Sequence, residues 1–363
     1  MSSSTEPINE QEKREINKLG QTWRILIPVC IGLAVTGILL YRNFDADTLL
    51  SMQLSSHWYW WFLGVLLAIF VRDFGYMMRI RELSQKKLNW KKAFEVIMLW
   101  EFCSAIMPGL LGGGFAFAIA IIHKEGVKLG KAISMVVMTT FLDGIFFAVL
   151  APLAWFYFGS YNLFSHSGSG PAATGMGGQT LETTFWFIYF IVLAYKLLVA
   201  YALFINANAV KKFLVTLFSL PLLNRWKEQV AEVGDDMIIA SEDLRNFTFF
   251  NWFNAFFSTL LSWSARFFLV NCMLGLFLES IPGHLLLYAR QVVVNILMIG
   301  SPTPGSSGVA EFAFASLLGS FINNPSMAVI LSFIWRLFSY YPYLLVGIIV
   351  FPGWARRVWG EKK

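Results

Sequence analysis

Residues Gly300–Leu318 read GSPTPGSSGVAEFAFASLL, and they interrupt a region otherwise as apolar as lipid. Two prolines, three glycines, four serines and one carboxylate, Glu311, fall within this stretch. Pro302 and Pro304 lack backbone donors, and each freed carbonyl costs several kcal/mol in hydrocarbon. Backbone of this kind survives at membrane depth only when it is buried in protein or lines a wet cavity. The rest of the chain is therefore read as the housing of this break.

That reading requires a membrane protein, and composition supplies one. Of 363 residues, 57% are hydrophobic, 17% aromatic and 14% charged, with a mean hydropathy of +0.60. A polytopic helical protein follows, with one membrane domain taking up nearly the whole length. The polar first 22 residues do not resemble a cleaved leader, so the first apolar run is read as a retained span. Cys30, Cys103 and Cys272 lie in apolar stretches without metal or redox spacing and are expected to be small core residues.

Runs long enough to cross a bilayer are Thr22–Tyr41, Trp58–Met78, Ala132–Phe158, Thr184–Asn206, Phe247–Phe277 and Met327–Phe351. Two more apolar regions, Ala93–Ile122 and His284–Phe321, are interrupted midway. In the first, the gap holds Pro108, Gly109, Gly112, Gly113 and Gly114. Its arms of about 15 and 10 residues would be roughly 22 and 15 Å long, each short of the bilayer core. Two half-helices that enter and leave on one side satisfy this better than a single crossing. The fold expected is all-α, with six full spans and two re-entrant broken-helix hairpins.

Charge sets the orientation. With both interrupted regions re-entrant, 22 of the 28 Lys and Arg fall on one side and only Arg42 on the other. The remaining five lie in or near apolar segments, and both termini are expected in the cytoplasm. The two breaks then face opposite leaflets. Span centres near Leu67 and Ser262 lie 41 and 42 residues before Pro108 and Pro304, which suggests an inverted repeat over about 55–158 and 247–351. Residues 1–21 form a cytoplasmic tail, 22–351 the membrane domain, and 352–363 a basic cytoplasmic tail. Within the domain, 207–246 is a cytoplasmic segment, either interfacial and amphipathic or a plain linking helix. The Gly- and Ser-rich stretch Tyr161–Glu182 is expected to be an external loop.

An ionisable group inside a membrane costs at least about 2.5 kcal/mol, so each is a candidate for function. Those here are Arg72, Asp73, Glu101, Asp143, Lys196, Arg266, Arg290, Glu311 and Arg336. Asp143 and Lys196 are candidates to pair, as is Glu311 with Arg336 or Arg266. Buried ion pairs that only fix register are the plainer alternative, strongest for Lys196 and Arg290. Glu311 shares its short break with Pro304, Gly305 and Gly308, and is expected to project into the cavity that the break implies. Half-helix starts near Gly305–Gly308 and Gly112–Gly114 would present free N–H groups and a positive dipole end, suited to a phosphate.

Several classes are excluded. The four histidines are scattered, with no metal-ligand spacing, and there is no nucleotide-binding loop. The net charge of +6 follows membrane borders rather than any nucleic-acid motif. Neither metal nor cofactor is expected.

At the two breaks the chain resembles a known family. Pro302-Thr-Pro-Gly-Ser-Ser-Gly-Val-Ala-Glu311 is similar to the Pro-Gly-x-x-Gly-x-x-Glu signature of flippase-like proteins related to the transmembrane domain of lysylphosphatidylglycerol synthases. Pro108-Gly-Leu-Leu-Gly-Gly, the turn Lys124–Gly126 and Asp143 are similar to that family's first motif. The resemblance implies a phospholipid translocator of the inner, plasma membrane, in which the broken hairpins meet around the headgroup. Substrate contacts are expected at Glu311, Arg336, Arg266, Pro304, Gly305, Gly308, Pro108, Gly109, Gly112 and Gly113. Asp143, Glu101 and Lys196 are the candidates for proton or ion coupling. The expected partners are an anionic or aminoacylated phospholipid, the bilayer and, as an open option, a second copy of the chain. Because the sequence ends at Lys363, the aminoacyl-transferase domain of the synthases is expected to be missing. Two alternatives stay open: a membrane enzyme acting on a lipid or polyprenyl phosphate with Glu311 or Asp143 as base, and a lipid-binding partner subunit.

Overall fold

The computed structural model describes residues 41, 46–106, 114–165, 178–220, 224–245, 247–303, 305–322 and 324–359. The expected first span before Tyr41, the N-terminal tail, Pro108, Gly109, Gly112, Gly113 and Pro304 lie outside the described residues. So do Cys30, residues 166–177 of the expected external loop and the last residues of the basic tail.

Every regular element among the described residues is helical. A short helix, α1 (Ala46–Ser51), precedes α2 (Trp58–Leu83). Next come the arms α3 (Trp90–Ile106) and α4 (Phe115–Lys124), then the long α5 (Leu129–Phe164). α6 (Gly178–Tyr201) passes through a π-helical turn, Ala202–Asn206, into α7 (Ala207–Leu217), and α8 spans Lys227–Leu244. α9 (Phe249–Gly275) leads to α10 (His284–Ile299) and α11 (Val309–Leu318). α12 (Pro325–Ser339) and α13 (Tyr341–Trp359) close the chain. Among the described residues, five stretches are long and apolar enough to cross a membrane: Trp58–Leu83, Leu129–Phe164, Gly178–Leu217, Phe249–Gly275 and Pro325–Val358. They coincide with five of the six expected runs.

The interrupted regions form hairpins. Gly114 packs against α3 so closely that an added Cβ would lie 3.2 Å from the Ser104 backbone nitrogen, a position that also needs its φ of +86°. The open end is tied as well: Lys92 at the start of α3 donates 2.9 Å to the Glu125 carbonyl just past α4. Arg357 and Trp354 of α13 also hold the Glu125 carboxylate. In the second hairpin, Ser306 Oγ donates 2.9 Å to the Met298 carbonyl at the tip. Arg290 clamps the other end, donating to the Leu317 carbonyl, Ser320 Oγ, the Asn162 carbonyl and Ser165 Oγ.

The two halves repeat element by element. Trp58, Trp90, Phe115 and Leu129 begin elements whose counterparts begin at Phe249, His284, Val309 and Pro325, offsets of 191, 194, 194 and 196. The short arms are both ten residues long. Each is preceded by a glycine of positive φ, Gly114 (+86°) and Gly308 (+88°), again 194 apart. The equivalent helices α2 and α9 run antiparallel and in close contact. Gly64 faces Cys272, Gly75 faces Ser262, and Gly275 faces Trp61, where an added Cβ would come within 2.4 Å of the indole. Small residues at these points let the two backbones approach, the usual basis of helix association in lipid.

Three local findings refine the sequence reading. α2 runs five residues past the expected end at Met78, and Arg79, one of the 22 basic residues assigned to the cytoplasmic side, is buried. Gly159 leaves helical geometry (φ +71°, ψ 162°), so α5 bends near its end. The last span is broken at Tyr340 (φ −128°, ψ −57°). Pro342, two residues on, has no N–H to continue the ladder and suits the first turn of a new helix.

Segment 207–246 is two packed helices. Asn206 leaves the helical region (φ −157°) and caps α7, accepting 2.9 Å from the Ala209 amide. Lys211 pairs with Asp235 of α8 at 2.5 Å, and Lys131 of α5 with Asp243 at 2.7 Å. On α8, burial and then the neighbouring carboxylates of Glu232 and Asp235 push Asp236 up from 3.8 to about 6. The folded protein holds that proton more tightly than the unfolded chain, so stability falls as pH rises through the window between these values. Asp236→Asn is expected to raise the melting temperature at about pH 8 and to leave it unchanged near pH 4. Thermal unfolding in detergent at the two pH values checks this.

Candidate functional site

Between the hairpins lies a cavity of about 700 Å³, within the size range of small-molecule sites. α2, α3, α5, α6, α9, α10, α12 and the tip of the second hairpin all contribute to its wall. Its charged lining is supplied by Arg79, Glu101, Asp143, Lys196, Arg266 and Arg336.

Three ion pairs organise this wall. Asp143 of α5 accepts 2.6 Å from Arg79 of α2 and 2.7 Å from the indole N–H of Trp263 on α9, so one carboxylate joins three helices. Glu101 of α3 lies 3.5 Å from Arg266 of α9, whose guanidinium also donates 3.3 Å to the Tyr76 hydroxyl. Glu311 of α11 accepts 2.8 Å from Arg336 Nε of α12, and both residues are buried. The other Glu311 oxygen accepts 2.6 Å from the Gly308 amide, and Arg336 donates 2.7 Å to the Gly305 carbonyl. Glu311 thus stands behind Arg336 and fixes it to the hairpin tip, while Arg336 itself faces the cavity.

The two hairpins meet at Tyr340. Its hydroxyl donates 3.0 Å to the Ala105 carbonyl near the end of α3. Its ring lies against Gly305, where an added Cβ would be 2.4 Å from Cε2. The Arg336 guanidinium stacks 4.4 Å from the centre of the same ring.

Of the residues singled out from sequence, the cavity gathers Glu101, Asp143, Lys196, Arg266, Arg336 and Gly305. Glu311 and Gly308 lie directly behind it. Arg290 is elsewhere, in its clamp, and Arg72 is buried against Asp73 at 3.0 Å and the Tyr343 ring at 4.3 Å. The expected Asp143–Lys196 pair is replaced by Asp143–Arg79, and Lys196 Nζ donates 2.7 Å to the Thr140 carbonyl instead. Sequence reasoning passed over Arg79, Tyr340, Gln291 and Trp263. Tyr340 had a signal in Pro342; the others had none beyond their place on apolar faces.

Taken together, these elements define an integral, multi-pass helical membrane protein with a charged internal cavity between two broken hairpins. The chain belongs to the family described as the lysylphosphatidylglycerol synthase TM region, whose model matches residues 25–347. It is also similar to a UPF0104 membrane protein of Archaeoglobus fulgidus, 23% identical over 343 residues, covering 89% of this chain and 95% of the relative. No solved structure matches it significantly.

Proposed function

We propose that this protein moves a phospholipid headgroup between leaflets through the central cavity while the acyl chains stay in lipid. One observation carries the reading: three arginines and a lysine, with Glu101 and Asp143 beside them, face a cavity that is otherwise largely apolar and aromatic, and Tyr340 bridges α3 and the second hairpin at its edge. Cations in such surroundings suit a phosphate, and the apolar remainder tolerates the start of an acyl chain. The proposed topology has both termini in the cytoplasm of a plasma-membrane protein, with the hairpins re-entrant from opposite leaflets as an inverted repeat. Antiparallel packing of the equivalent helices α2 and α9 and the recurring offset near 194 support that arrangement. Glu311 serves to hold Arg336 in place rather than to touch substrate. Asp143, Glu101 and Lys196 remain the coupling candidates; the ion pair of Glu101 with Arg266, at 3.5 Å, is longer than that of Asp143 with Arg79 at 2.6 Å.

Purified protein in liposomes is expected to speed translocation of a fluorescent anionic phospholipid well above the rate in empty liposomes. Equal rates across anionic, zwitterionic and aminoacylated lipids, with and without protein, would overturn the proposal.

A further inference from the structure

A second cavity, of about 510 Å³, lies where α6 gives way to α7, and it shares no residue with the central one. Its shape begins in the backbone. The π-helical turn Ala202–Asn206 widens the helix, and Asn206 then leaves helical geometry (φ −157°), so the rod of α6 and α7 bends as it passes α8. Turns of this kind occur disproportionately at functional sites. The facing wall is a stripe of α8 made of Ile238, Glu242 and Arg245, with Ser241 beside it. A spacing of three or four residues keeps these on the helix face from which Asp235 reaches Lys211 of α7.

The charges on this stripe differ from those beside them. Asp235 pairs with Lys211 and Asp243 with Lys131, but among the described residues Glu242 and Arg245 have neither ion-pair nor hydrogen-bond partner. They do not pair with each other either, although opposite charges three residues apart on a helix ordinarily attract. Asn208 of α7 lines the cavity opposite them. One wall thus offers a cation, an anion and hydrogen-bonding groups, with no net charge.

The cavity borders lipid. Phe204 and Ile205 line it and are 55% and 71% exposed, on a helix long and apolar enough to span. Trp252, near the start of α9, lines it too, its ring centre 5.4 Å from that of Phe204. Tryptophan near the end of a spanning helix marks headgroup level. In the proposed topology this is the cytoplasmic leaflet.

We propose that this second cavity holds, without transporting it, a zwitterionic phospholipid with a primary amine, its phosphate on Arg245 and its ammonium on Glu242. Residues three apart on a helix have Cβ atoms about 5–6 Å apart, which suits a phosphate and an ammonium joined through two carbons. A purely anionic headgroup leaves Glu242 unmatched. A choline headgroup carries no N–H to donate to it. The bound headgroup would tie the bend after α6 to α8, which Asp243 joins to Lys131 and Ser134 of α5. The inference does not depend on the translocator reading.

The test is native mass spectrometry of protein from nanodiscs holding phosphatidylethanolamine, phosphatidylglycerol and phosphatidylcholine in equal amounts, with thermal unfolding in detergent supplemented with each lipid. Wild type is expected to retain phosphatidylethanolamine about tenfold over the other two, the size of one charge-assisted hydrogen bond, and to melt later with that lipid alone. Glu242→Gln should lose the preference, and Arg245→Met should lose retention as a whole. Both side chains are exposed, so each variant should melt like wild type when no lipid is added. Lys196→Met, in the other cavity, should keep the preference. Equal retention of the three lipids by wild type, an unchanged preference in Glu242→Gln, or a preference lost in Lys196→Met overturns the proposal. So does a melting shift produced by free phosphoethanolamine and not by the lipid, which would assign the site to a soluble ester. Retention that depends on Glu242, in protein that moves no lipid across liposomes, supports the site and sinks only the translocator reading.

Discussion

Glu311→Ala is expected to destabilise the protein by about 3–5 kcal/mol, the usual cost of removing one partner from a buried ion pair. Two groups lose their acceptor at once: the buried Arg336 guanidinium and the Gly308 amide at the head of α11. Glu311→Gln keeps an oxygen for one of them and should fall between wild type and alanine. The double variant Glu311→Leu/Arg336→Leu leaves neither charge buried and should recover much of the loss, since a packed apolar pair often matches a buried ionic one. Its recovered fold should nonetheless fail to translocate lipid, because the cavity has lost Arg336. Thermal unfolding in detergent and liposome flux, measured on the same preparations, separate the two effects. A double variant that transports like wild type would place Arg336 outside the working part of the cavity.

Gly305→Ala is expected to cost both stability and transport. The residue has φ +55°, where a side chain costs of order 1–3 kcal/mol. The new methyl would also meet the Tyr340 ring at 2.4 Å and its hydroxyl oxygen at 2.6 Å. Tyr340 must then move, which breaks its bond to Ala105 and disturbs the Arg336 stack. Gly126→Ala is the matched comparison. Its φ is +94°, but nothing lies within 4 Å of the added methyl, so it carries the backbone strain alone. Both variants should melt earlier than wild type, and only Gly305→Ala should lose transport in excess of its lost stability. Equal transport in the two would mean that the Tyr340 contact is not part of the transport cycle.

Much of the architecture was legible because lipid imposes strict conditions on backbone. Proline and glycine in an apolar run leave few solutions, and the arms flanking residues 107–113 and 300–308 follow from that constraint. The Glu311–Arg336 pair was legible for a similar reason, since a buried carboxylate requires a cation and few were within reach. Arg79 was not, because hydropathy marks where an apolar run ends and not where a helix ends. α2 continues past Met78, and its arginine turns inward to Asp143 rather than outward to solvent. The wrong partner for Asp143 has the same origin. Depth along a helix can be counted from sequence, but the rotation of one helix against another is set by packing, here by Gly75 and Gly275 on the α2–α9 contact. The internal repeat was visible as spacing only. The matched glycines at 114 and 308 and arginines at 72 and 266 become a signal once the offset of 194 is known.

The tyrosine shared by the two hairpins has a mechanical consequence. Along α2 and α9 the halves are joined by a long seam of small residues in close contact, a spine that must move as a unit. Near the described end of α3, the Tyr340 hydroxyl joins the halves through a neutral bond to the Ala105 carbonyl. Such a bond is worth about 1 kcal/mol net, roughly a fivefold bias in population. A bond of that strength breaks on thermal energy alone, so Tyr340 can leave and regain α3 while the spine holds the halves in register. The kink before Pro342 places the tyrosine on a helix end, where a few backbone torsions suffice to swing it.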